Sequence, residues 1–160
     1  MSAPPITITV PLVPVAQPRP RATVRGGRIC VYNAAGPVDA FKARVRIAAR
    51  QAYSGDLLRG PLRVDSEFVF PRTKGQMWKR KPMPRMRHDK KPDRDNLDKA
   101  VLDALTGQLW FDDAQVCDGR IQKWIAAGDE LHGVIITVTR LTGADLVTDK
   151  STLFDAKLEQ

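Results

Sequence analysis

The stretch from Lys90 to Gln115, KKPDRDNLDKAVLDALTGQLWFDDAQ, concentrates the residues of this 160-residue chain that could do chemistry. Asp93 and Asp95 stand just ahead of a helical pattern, Lys99 lies one turn into it, and a second acidic pair, Asp112 and Asp113, follows its end. Mg2+ is a hard, octahedral ion that takes carboxylate oxygens and keeps several waters, so two or three acidic side chains suffice to hold it. An ion so held lowers the pKa of a bound water, orients it against phosphorus and neutralises the surrounding oxygens. A nearby ammonium group stabilises charge that develops during the cut, and Lys99 is the candidate. Carboxylates bracketed by lysines therefore suggest metal-assisted phosphodiester hydrolysis.

The element that must position these groups is a helix. Leu97, Val101, Ala104 and Leu105 recur at helical spacing and form one apolar stripe, and Gly107 supplies a stop. The spacing predicts a helix over Asn96 to Thr106. Asp95 and Lys99 are four apart and fall on one face of it. Pro92 keeps residues 91 to 94 extended, and alternation there sends Asp93 and Asp95 the same way with Arg94 opposite. Taken alone, Asp95 also suits a helix N-cap, where its carboxylate would accept from free backbone amides.

The string DRDNLDKAVLDAL, then a short loop, then WFDDAQV resembles the RusA family of Holliday junction resolvases, whose hallmark is D-x-D-N-L-x-K-A, a helix, and W-x-D-D-x-Q-V. The similarity continues through GRIQKWIAAGDELHGVIITVT and, upstream, through the basic VPVAQPRPRAT, so it spans about residues 6 to 141. The resemblance implies that Asp93, Asp95 and Asp113 bind metal beside the active-site lysine Lys99. Asp112 is a further candidate ligand, because the loop before the acidic pair is about one residue shorter than in the family member compared. The resemblance also implies a homodimeric endonuclease of phage or prophage type that acts on branched DNA with Mg2+ or Mn2+ and no small-molecule cofactor.

Charge agrees with a polyanionic partner. Lys and Arg number 26 against 18 Asp and Glu, a formal net charge of +8, and a field of that sign concentrates nucleic acid. Residues 72 to 94 hold 10 of those cations and 2 acidic residues. No helical or strand period survives in 72 to 92, so this stretch reads as a long mobile basic loop leading into the active site. Its candidate DNA contacts are Lys79, Arg80, Lys81, Arg85, Arg87, Lys90 and Lys91, with Arg94 just beyond. Arg19 and Arg21, in the proline-stiffened segment after the first strand, and Lys123 on a later strand are the others. Trp78 suits either an unpaired base or an anchor packed on the core.

The remaining elements follow from local pattern. Residues 6 to 12, 61 to 70, 119 to 127 and 134 to 140 read as strands, and Gly26-Gly27 as the turn of a hairpin carrying Arg21, Arg25 and Arg28. Pro37 to Tyr53 reads as a helix with Val38, Phe41, Val45, Ala48 and Ala52 inward. On strand 61 to 70 Glu67 falls on the outer face, as an exposed carboxylate or a further metal ligand. His132 reads as surface. Cys30 and Cys117, far apart and without partners at ligand spacing, read as small buried hydrophobes in a reduced compartment. No apolar run reaches 18 residues and no leader pattern opens the chain, so a cytoplasmic protein off the membrane is expected.

The expected architecture is one α/β (α+β) domain over residues 1 to 144, a mixed sheet of four or five strands on two main helices, with a tail over 145 to 160 in which Leu146, Leu153, Phe154 and Leu158 suit a short docking helix. A four-way junction has near two-fold symmetry, which suits a C2 dimer making paired cuts. The alternatives from other classes are a non-catalytic DNA-binding protein retaining the fold and a metal-dependent enzyme on nucleotides or sugars.

Overall fold

In Leu62 to Phe70 nearly every second residue is apolar, and this strand forms the middle of the sheet. In the computed structural model, which describes residues 4 to 32 and 36 to 146, the chain runs β1 Ile6–Val10, β2 Arg21–Arg25, β3 Arg28–Tyr32, α1 Pro37–Ala52, β4 Leu62–Phe70, β5 Met86–Arg87, α2 Arg94–Leu105, β6 Val116–Asp118, β7 Ile121–Ile125 and β8 Gly133–Arg140. The main sheet has the order β1-β8-β4-β7-β5, with β6 also on β4. β8 lies antiparallel to β1 and β4, while β6 and β7 run parallel to β4. The expected mixed sheet on two helices is therefore present. Its four predicted strands share it, and the short β5 and β6 extend it.

The two helices cover one face. Val38, Phe41, Val45 and Ala49 of α1 and Leu97, Ala100, Val101, Ala104 and Leu105 of α2 are buried against Ile8, Val10, Val64, Phe68, Val134, Ile136 and Val138 of the sheet. Lys42 on α1 pairs with Asp103 on α2 at 3.0 Å, and its ammonium side chain is only 13% exposed, so the helices are joined by charge as well as by packing. β6 turns into β7 at Gly119, whose φ is +152°. A Cβ there would lie 1.9 Å from the Val64 carbonyl oxygen, so only glycine lets this turn pass so close to β4.

Two expectations are corrected. The stretch 72 to 92 is tied down: Arg72 donates to the carbonyls of Ala126, Gln76 and Pro84, and β5 pairs with β7. A guanidinium satisfied by three carbonyls from separate turns fixes the backbone where no local period could. Cys30 and Cys117 are exposed, because the hairpin β2–β3 and strand β6 lie at the periphery. The docking helix expected near the C-terminus lies outside the described residues; Gly143–Leu146 forms a short 3-10 turn. Among the described residues no helix is long and apolar enough to cross a membrane.

Candidate active site

α2 begins two residues earlier than its apolar period suggests. Asp93 takes the N-cap position with extended backbone (φ −69°, ψ 142°), and Asp95 sits inside the first turn. The two carboxylates are therefore set by helix geometry instead of strand alternation, and Asp95 is not the cap. Aligned peptide dipoles make this helix end favourable for negative charge, whether carboxylate or phosphate. Lys99 is exposed one turn further along the face that carries Asp95.

Asp93 is 45% exposed and accepts a hydrogen bond at 3.4 Å from Arg19, which is 79% exposed. A shallow groove of about 540 Å³ opens beside them, lined by Ala16, Arg19, Lys91, Pro92, Asp93 and Asn96. The Pro-rich segment that brings Arg19 here is pinned by the Gln17 amide donating to the Asn96 carbonyl at 2.8 Å. Thus two expected DNA ligands, Arg19 and Lys91, flank one of the expected metal ligands.

Lys123, expected on phosphate, is engaged with backbone. From β7 its ammonium donates to the Pro92 carbonyl at 2.6 Å and to that of Lys90, so it holds the segment that delivers Asp93. Arg85 is likewise committed: it pairs with Glu67 at 2.6 Å and with Glu130. Glu67 is thereby an ion-pair partner instead of the metal ligand considered for it. Arg87 lies 3.7 Å over the ring of Trp124 with its guanidinium still exposed. Lys79, Arg80, Lys81, Lys90 and Arg94 are exposed, and Trp78 is 38% exposed under the guanidinium of Arg72 at 5.3 Å. The structure does not describe the side chain of Arg21.

The second acidic pair is built by a residue whose role the sequence left unread. Asp112 accepts from the Ala114 amide at 2.8 Å and caps a 3-10 turn, Asp113–Gln115. Gln115 then locks that turn to the core. Its amide nitrogen donates to the carbonyls of Leu58 and Gly60 at 3.1 and 3.0 Å, and its oxygen accepts from the amides of Phe111 and Asp112 at 2.9 and 3.1 Å. The conformation of the acidic turn thus rests on one carboxamide whose donors and acceptor are both used. On the phosphodiester cleavage that the motif's resemblance implies, Gln115→Glu, which keeps the shape and loses both donors, should lower the rate at least about tenfold, since each lost bond leaves a carbonyl unpaired at about 1 kcal/mol or more. Junction binding should change little; equal loss of binding and cleavage in titrations and single-turnover assays would contradict a positioning role.

Placement of the two acidic pairs is the main correction at this site. α2 has 12 residues, a length of about 18 Å. Asp93 and Asp95 stand at its first end, and Asp112 and Asp113 follow the turn beyond its last. Among the described residues no group of three or more His, Cys, Asp or Glu side chains is close enough to hold a metal ion. The convergence of Asp93, Asp95 and Asp113 expected from the motif is therefore not formed within one chain. Spacing along the sequence counts the residues between the acidic groups, and a straight helix turns that count into distance.

Away from the helix ends, ion pairs perturb several acids. Hydrogen bonds from Arg63 hold the Asp65 carboxyl below its ordinary range, and those from Arg85 do the same for Glu130. Burial raises Asp98 on α2, partly offset by Arg94. Depressed folded pKa values contribute stability that is present above the unfolded values and lost as pH falls through the folded ones. The protein should therefore lose stability as pH drops below about 4.5, the ordinary value for a glutamate. Glu130→Gln should flatten that loss. Asp98 has the opposite sign, so Asp98→Asn should stabilise at neutral pH and make no difference in acid. Thermal midpoints across pH 3 to 8, roughly the range over which these carboxyls titrate, check all three statements; a midpoint unmoved by acid would refute the first.

Known proteins are similar to this chain in sequence over most of its length. The family described as endodeoxyribonuclease RusA matches residues 11–139. A protein of Bacillus subtilis (strain 168), named only as the uncharacterized protein YqaN, is 33% identical over 139 residues, covering 84% of this chain and 97% of the relative. The span matched by the family contains α2 with both acidic pairs, the basic stretch and all but the last residue of β8. This chain belongs to the RusA endodeoxyribonuclease family.

Proposed function

We propose that this protein is a metal-dependent, structure-selective endodeoxyribonuclease that works as a homodimer and resolves four-way DNA junctions by paired cuts. One observation carries the reading: the two halves of the expected metal-binding acidic set stand at opposite ends of α2, whose first turns leave Arg94, Asp95 and Lys99 exposed. A two-fold axis that runs two copies of α2 past each other brings the first end of one to the last end of the other, so Asp93 and Asp95 of one copy and Asp113 of the second would hold the ion. The arrangement makes two composite sites per dimer, which matches the two-fold symmetry of a four-way junction.

A divalent ion at such a site supplies an activated water and neutralises charge on the phosphate. The chain's own groups do the remainder. Arg19 and Lys91 draw the phosphodiester backbone into the groove beside Asp93 and offset the carboxylates' repulsion of it. Lys99 stands where it can stabilise negative charge that develops next to Asp95. Lys123 and Gln115 hold the two acidic segments in place.

The test is cleavage of a synthetic four-way junction by purified protein. Cutting should require Mg2+ or Mn2+, stop with chelator and spare linear duplex. Junction binding that is never followed by a cut in any metal would leave the non-catalytic DNA-binding reading. Hydrolysis of free nucleotides instead would leave the third.

A further inference from the structure

The hairpin β2–β3 stands apart from everything described so far. Its strands form a separate two-stranded sheet and pack chiefly on one another. Gly26 and Gly27, with φ of 57° and 74°, make the tight turn between them, as two-residue hairpins require. A lone two-stranded hairpin is marginal in water and normally needs a covering partner. This one shows the opposite: Val24 is 69% and Ile29 is 76% exposed, and the two sit directly across from each other in register. Ala22, two residues from Val24, extends the same apolar face.

Charge identifies what covers it. Residues 17 to 36 contain four arginines, Arg19, Arg21, Arg25 and Arg28, and no Asp or Glu. Arg25 and Arg28 face each other at the last ladder position before the turn. Two like charges opposed on a ribbon repel, and a second copy of the same ribbon would add more of the same sign. A polyanion removes that repulsion. The base of the ribbon is fixed in a telling place, because β2 begins two residues after Arg19, which pairs with Asp93. Five residues of strand reach about 16 Å from there. The major groove of B-DNA, about 12 Å wide, accepts a two-stranded ribbon, and its thymine methyls and sugar edges offer apolar contact.

We propose that β2–β3 is a DNA-reading arm that lies in the groove of a duplex arm next to the cleavage point, Arg25 and Arg28 on phosphates and Val24 and Ile29 against the groove wall. The proposal rests on the nuclease reading above and extends it to the duplex flanking the cut.

Binding of the full-length protein to a four-way junction and to linear duplex, measured in chelator over a range of salt, tests it apart from catalysis. Arg25→Ala/Arg28→Ala should reduce the slope of log K against log salt by about 1.8 for each engaged arm, two phosphates at about 0.9 each. Val24→Ser/Ile29→Ser should weaken binding at least about tenfold through lost apolar contact while leaving the slope unchanged. Both variants should keep the wild-type thermal midpoint and sedimentation, because the ribbon lies outside the core. An unchanged slope in the arginine variant would overturn the proposal. So would a serine variant whose dimer dissociates while its affinity for DNA per dimer stays intact, since the ribbon would then be an arm between protomers. Wild-type protein that binds neither DNA would sink the nuclease reading itself, whereas wild-type binding with unaffected variants sinks the arm alone.

Discussion

Asp95→Asn and Asp113→Asn chains, each inactive alone, should regain junction nicking when mixed and allowed to exchange subunits. With the proposed composite sites, each variant homodimer would lack one carboxylate at both, and loss of a metal ligand should slow cutting by on the order of 10³-fold, near the upper range for removing one electrostatic contact from an active site. In a heterodimer with composite sites, the two substitutions fall together at one site and leave the other complete. Half the dimers in an equal mixture should therefore nick one strand, and none should make the paired cuts of the wild type. If each site belonged to a single chain, every site in the heterodimer would carry one substitution and the mixture would stay inactive. Affinity-tagged heterodimers assayed on a junction labelled in all four strands decide the matter. Retained junction binding by both variants, measured in chelator, separates loss of chemistry from loss of fold.

Trp110→Ala should cost about 3–5 kcal/mol of folding stability, the range for truncating a fully buried aromatic. Trp110 is 0% exposed and is the largest of the fully buried side chains. Its ring nitrogen donates to the Thr106 hydroxyl at 3.1 Å, so truncation leaves a cavity and also strips that hydroxyl of its donor. Its backbone bridges Leu58 and Thr106, which joins the end of α2 to the segment before β4. Loss of the ring should therefore loosen the Asp112–Asp113 turn as well as the core. The urea midpoint should fall with an unchanged slope, as expected for lost stability without a change in exposed surface. Trp78→Ala, by contrast, removes a ring that is 38% exposed and should move the midpoint little. A Trp110→Ala loss under about 1 kcal/mol would show that the site collapses around the missing ring, against the close packing described here.

Local pattern made much of this molecule legible. β1, β4, β8, α1 and α2 announce themselves because period 2 and period 3.6 are direct consequences of burying one face of a strand or helix. Gly26-Gly27 marked its turn because both positions need positive φ. The motif from Asp93 to Gln115 was readable because the identities of Asp, Asn, Lys and Gln at fixed intervals reflect a shared chemistry. β5 and β6, at 2 and 3 residues, are too short to carry a period, and each is defined by its neighbour in the sheet.

What the chain order could not convey is which partner each charged side chain finds. Arg72 and Arg85 look alike in sequence as members of one basic stretch and Lys123 reads as a single strand cation, yet Arg72 holds the loop, Arg85 pairs with Glu67 and Glu130, and Lys123 secures the approach to Asp93. Those bonds close between residues tens of positions apart. They exist only once the sheet has brought its strands into register. The acidic residues follow the same division: their types are written in the chain, but the rigid rise of α2 sets Asp93 and Asp113 at opposite ends, and the proposed second copy is what would unite them.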